Sequence, residues 1–230
     1  MFVRELALRA SLGDTGRVGR ELRERLAATG MELERLVNGT RRLIDATVVA
    51  EAPADVLAAA AVDLERILDT LRPYVPDERS PRFPEAVATP EELMPFDPVM
   101  GRMSPLAPPI RFTWEDPKAI GLVRFGSPYE GPPGCVHGGI IAGAFDQVFN
   151  VANVMRGVAG PTARLALRYR RPTPLHTDLR FEGWQERVEG KRVHAAGRLL
   201  AGDDVTVEAE GVFVQVPIER IMQMFAKPRE

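Results

Sequence analysis

Apolar residues recur every three or four positions in the first third of the chain. Val18, Leu22, Leu26, Leu33 and Val37 lie on one face of a helix that Asp14 or Thr15 can cap. Gly30 weakens its middle. A second helix is predicted with Pro53 in its first turn, carrying Val56, Leu57, Ala60, Ala61, Leu64, Ile67, Leu68 and Leu71, and stopping before Pro73. So wide an apolar face needs a cover, and the pair reads as a helical hairpin laid over the sheet or over a subunit contact. From residue 110 the texture changes. Strands are predicted at 110–114 and 120–125, then one almost wholly apolar helix at 138–155. Four more strands follow at 163–170, 179–188, 192–200 and 205–216. Short turns at Glu189-Gly190 and Gly202-Asp203-Asp204 mark an antiparallel meander, and a short helix is expected at 218–225. One buried helix among long antiparallel strands implies an α+β fold in which the sheet curls around that helix.

Proline sharpens the division. Fourteen of the 20 prolines lie between Pro73 and Pro133, which separates a helical extension (1–72), a proline-rich connector (73–109) and the strand-rich domain (110–230). Phe83, Leu93, Met94, Phe96 and Met100 give the connector apolar surface that can pack on a neighbour. Overall charge adds little. A formal net charge of −2 creates no field for nucleic acid or an anionic membrane. No run of about 18 apolar residues predicts a membrane span, and the first residues lack a secretory pattern, so a cytoplasmic protein is expected. One cysteine, Cys135, and three scattered histidines (His137, His176, His194) exclude a disulfide scaffold and make a metal site unexpected.

Candidate chemistry concentrates in the apolar helix. Gly139, Gly143, Asp146, Asn150 and Asn153 follow a spacing of 4, 3, 4, 3, so they share one face, small at its start and polar further on. That face suits a cleft, water or a second subunit. Asp146 is the residue to explain, because a carboxylate near an apolar interior loses hydration unless it is paired or protonated. It suits a general base with a raised pKa, and equally a carboxylate bonded to backbone or to a subunit partner. His137-Gly138-Gly139 opens the same helix, where unpaired N–H groups and the positive dipole end converge. Those groups can hold an oxygen that becomes negative during acyl transfer. On this reading the acid looks across a groove at the amides of its own helix.

The segments EGPPGCVHGGIIAGAFD, RLALRYRRPTPLHTDL and VEAEGVFVQV resemble the hot-dog fold thioesterases of the PaaI-like type over about residues 110–216. The resemblance implies Asp146 as nucleophile or general base and the Gly138 N–H as the donor to the thioester carbonyl. It implies Thr162 as a helper near the start of the next strand. His137, Gly139 and Asn150 fall in the same cleft. Many such proteins carry Asn six residues before the histidine, where this chain has Gly131 beside Glu130. Arg168, Arg170 and Arg171 suit the phosphates of coenzyme A, or else form a solvated strand end.

The implied activity is acyl-CoA thioester hydrolysis, with coenzyme A as part of the substrate and no other cofactor. The alternatives are a non-catalytic acyl-CoA-binding scaffold and a hot-dog hydratase. The latter pairs its acid with a histidine, and none follows Asp146 within two turns. The resemblance also implies a homodimer or homotetramer.

Overall fold

A computed structural model describes residues 15–76, 94–158 and 160–216, with side chains from Gly30 onward. Asp14, Phe83, Leu93 and the helix expected at 218–225 lie outside these residues. The elements run α1 (Thr15–Val49), α2 (Ala54–Leu71), β1 (Arg111–Glu115), β2 (Lys118–Arg124), α3 (Gly138–Met155), β3 (Thr162–Tyr169), β4 (Asp178–Glu189), β5 (Arg192–Ala201) and β6 (Asp204–Val214). The ββαββββ order and the α+β class follow the sequence pattern. The six strands form one antiparallel sheet in the order β1-β2-β4-β5-β6-β3. β3 is therefore an edge strand, reached by a crossover from α3.

The sheet wraps α3 because glycines leave room for it. Gly183 pairs with Gly197 across β4 and β5, and Gly211 of β6, opposite Ala195, lies diagonally from Gly197 on the same face. A Cβ on any of them would come within 2.5–2.7 Å of a side-chain or backbone atom, with Val148 or Phe149 of α3 among the close neighbours of each. Phe149 rests in that trough, with Phe145 5.7 Å away and Phe213 edge-on at 6.2 Å. Ile141, Ala144, Val148, Val151 and Ala152 complete the buried face. The opposite face of the sheet is closed differently. Strand alternation turns Glu182 away from α3, where it is buried under Lys118, Arg180 and Arg198 at 2.8–3.0 Å. Burial alone would raise its pKa, but the three cations reverse this and hold it at about 2.

The N-terminal helices depart from expectation. α1 runs unbroken through Gly30 and docks through Val37 and Arg41. The Arg41 guanidinium donates to the carbonyls of Gly101, Arg102 and Ser104, at 3.4, 3.3 and 2.7 Å. This ties α1 to a strap, residues 94–109, whose turns bury Met100 and Ala107. α2 buries nothing. Val56, Leu57, Val62, Ile67 and Leu68 are about half exposed, so α2 does not cover the sheet of its own chain. Among the described residues no helix is long and apolar enough to cross a membrane.

Candidate active site

Asp146 lies on the part-buried side of α3, one turn beyond Gly143. Among the described residues its carboxylate forms no salt link; Thr162 Oγ1 donates to Asp146 Oδ1 at 2.5 Å. Burial raises the Asp146 pKa above its ordinary value, the Thr162 bond works against this, and the nearby charge of Asp97 adds to it. Asp97 belongs to the strap, where its Oδ1 accepts from the Val99 and Met100 N–H groups at 2.8 and 2.9 Å. Val99 closes over the helix, its Cγ2 standing 3.4 Å from where a Gly143 Cβ would be. The strap is thus one wall beside the acid, a role its proline-punctuated sequence does not disclose.

At the start of α3, His137 is the N-cap, and its Nδ1 accepts from the Gly139 N–H at 3.0 Å. The His137 carbonyl accepts from Ile140 and Ile141 at 3.0 and 3.2 Å. Gly138 is left as the first-turn residue whose N–H has no partner among the described residues. The geometry therefore separates two glycines that the sequence leaves equivalent: the Gly139 N–H is capped and the Gly138 N–H is free. Gly138 O accepts from the Tyr169 hydroxyl at 2.8 Å. Nothing in the one-dimensional pattern points to Tyr169, since it meets the helix only through the placement of β3.

One expectation fails on distance. Gly138 and Asp146 are eight residues apart, about 12 Å along the helix axis. A donor and an attacking atom that engage one carbonyl each stand about 3 Å from it, so they lie within about 6 Å of each other. The acid does not face the amides of its own helix. Asn153 also leaves the expected stripe. It is buried, and its Oδ1 accepts from Gln185 Nε2 at 3.4 Å. Gln147, which the spacing assigns to no function, is buried with its Oε1 unpaired. Asn150 is half-buried and its side chain has no hydrogen-bond partner among the described residues.

Gly131 is fixed by close approach. A Cβ there would meet His137 Cα at 2.8 Å, so the loop closes on the N-cap with no room for an asparagine. Glu130 is occupied too, its Oε1 accepting from the Gly134 N–H at 2.7 Å. The arginines divide. Arg170 pairs with Glu208 through Nε and Nη2 at 2.8 and 2.6 Å, and Arg171 pairs with Asp204. Arg168 has no ion-pair partner among the described residues, which leaves it the one arginine of the three with no carboxylate to surrender before binding a phosphate. Among the described residues no cluster of His, Cys, Asp or Glu suits a metal ion.

Comparison with known proteins gives the family. The family model of the thioesterase superfamily matches residues 133–208. A solved thioesterase superfamily protein is 35% identical, with a TM-score of 0.70, covering 79% of this chain and 94% of its own. The acyl-coenzyme A thioesterase THEM4 of Mus musculus is 29% identical over 105 residues, 45% of each chain. THEM5 of Homo sapiens, also an acyl-coenzyme A thioesterase, is 29% identical over 104 residues, 44% of this chain and 42% of its own. The chain spans less than half the length of these two curated relatives.

Proposed function

Because the chain belongs to the thioesterase superfamily, we propose that it is an acyl-CoA thioesterase of the PaaI-like kind, with Asp146 as nucleophile or general base. The observation that carries the reading is a half-buried carboxylate held by one hydroxyl, with no cation neutralising it among the described residues. Such a group is basic enough to take a proton from water, or to attack the thioester carbon itself. In the first route hydroxide adds to the carbonyl, the tetrahedral oxyanion collapses and the coenzyme A thiolate leaves. The acid and the thiol are the products. Thr162 orients the carboxylate, and Asn150 lies one turn further along the same cleft.

The oxyanion donor on this reading is the Gly138 N–H of a second copy. The separation of about 12 Å within one chain is too long for both groups to engage one carbonyl, which supports a site shared between copies. A two-fold pairing sets Asp146 of each copy against Gly138 of the other. The exposed edge of β3, beside the same cleft, offers unpaired backbone groups for that contact. A further pairing of dimers gives the tetramer. Arg168 takes a coenzyme A phosphate, while Arg170 and Arg171 exchange their carboxylate partners to join it.

The test is thiol release from a panel of acyl-CoAs. Asp146→Asn keeps the Thr162 bond and should lower turnover by at least about 100-fold with an unchanged circular dichroism spectrum. Since the ionised form works and burial raises its pKa, the acidic limb of kcat/KM should lie above the ordinary value of 3.8. Full turnover in Asp146→Asn ends the assignment. A second reading, binding of acyl-CoA without hydrolysis, is favoured by one observation: the loop at Gly131 has no room for a water-positioning side chain. Tight binding by the wild-type chain with no thiol release would establish it.

A further inference from the structure

Tyr169 has no part in the reaction just outlined, yet its phenol stands at the same corner. Its hydroxyl donates to Gly138 O at 2.8 Å. A Cβ on Gly138 would lie 2.9 Å from that hydroxyl, so the phenol fills the space a larger residue would take. The peptide that carries Gly138 O also carries the Gly139 N–H, which donates to His137 Nδ1 at 3.0 Å. One planar unit is therefore held at its oxygen by Tyr169 and at its nitrogen by His137. Glycine has wide backbone freedom, and these two bonds remove it where the chain enters the helix. The N–H that remains unpaired, that of Gly138, belongs to the adjoining peptide. Tyr169 ends β3, the strand whose first residue, Thr162, holds Asp146. One strand thus fixes both functional points of α3.

We propose that Tyr169 is a positioning residue: acting through the Gly138 carbonyl, its hydroxyl holds the Gly138 N–H in the direction that receives the thioester oxygen. The proposal rests on the acyl-CoA reading above. A preorganised oxyanion donor is worth about 100- to 1000-fold in turnover. Tyr169→Phe keeps that donor and loosens only its aim, so a loss of about tenfold in kcat is expected. Arg168 and Arg170, which take the phosphates on this reading, flank Tyr169 and alternate to the other face of the strand, so KM should stay within twofold.

The experiment compares the wild-type chain with Tyr169→Phe in steady-state hydrolysis of one acyl-CoA, and follows amide hydrogen exchange at Gly139. The expected result is a kcat lowered about tenfold, KM unchanged, an unchanged melting temperature, and faster exchange at Gly139. Wild-type kcat in Tyr169→Phe overturns the role, whatever the exchange shows. A rise in KM with unchanged kcat also overturns it, by making Tyr169 a binding residue. If the variant unfolds, Tyr169→Met, which removes the hydroxyl and keeps apolar bulk, decides instead: kcat lowered about tenfold in a folded protein supports the role, and wild-type kcat contradicts it. Absence of hydrolysis by the wild-type chain overturns the acyl-CoA reading and this role together. An unaltered kcat in the variant overturns this role alone.

Discussion

Two helices of 18 residues, α2 and α3, both carry apolar faces, and they end in opposite surroundings. α3 sinks into a glycine trough, with nine buried residues gripped from several strands. α2 buries none. Part of the difference is in the helix, since α3 has Asp146 as its one charge whereas α2 carries Asp55, Asp63, Glu65, Arg66 and Asp69, and part is in the partner. A periodic apolar face states that some surface must cover it, and only the rest of the fold states which. The sheet offers α3 its concave face lined with Gly183, Gly197 and Gly211. Its other face is already closed by Glu182 and three cations, so α2 has no apolar floor there.

The contrast can be broken most sharply from the α3 side. Phe149→Ala empties the trough and should lower unfolding free energy by about 3–5 kcal/mol in urea titration. A loss below about 1 kcal/mol would mean that the trough does not hold the helix. Next comes the floor that α2 does not occupy. Glu182→Gln leaves three cations around a neutral amide and should cost about 1–3 kcal/mol at neutral pH. The pH dependence has a definite sign. A carboxyl held at about 2 stabilises the fold above its ordinary 4.5, and that contribution disappears as pH falls from 4.5 towards 2. Glu182→Gln should therefore flatten acid unfolding across that window. The smallest effect belongs to α2. Leu64→Ala should change stability by less than about 0.5 kcal/mol in dilute protein. A larger loss that grows with protein concentration would show that other copies bury α2.

Much of this was legible in the chain. Alternation, turn residues and one apolar helix disclose the order of elements along the chain and the α+β class, because those signals are local; the edge position of β3 beside β6 is not among them. The position of Asp146 is legible for the same reason: a carboxylate in an apolar helix is conspicuous. Thr162 is singled out only by the family resemblance, and the structure joins it to Asp146. Contacts set by tertiary placement were not legible. Tyr169 reaches Gly138 across 31 residues, and Arg41 reaches the Ser104 carbonyl across 63. Asn153 follows the cleft spacing but turns to Gln185, since a period of 3.6 drifts off any fixed face over four turns. The trough glycines carry no signal of their own in the sequence, and their purpose appears only when Phe149 is set against them.

The account stands on a thioester held between Asp146 of one copy and the Gly138 N–H of another. Mixing subunits tests this directly. Asp146→Asn removes the acid, and Gly138→Pro removes the donor at a first-turn position where proline suits the helix and displaces only the exposed Tyr169. Each variant alone should be nearly inactive. Equal amounts, unfolded and refolded together, should regain about a quarter of wild-type hydrolysis, since half of the dimers are mixed and each of those has one intact site of two. If the mixture regains nothing while mixed dimers form, each site lies within a single chain and the shared arrangement is wrong.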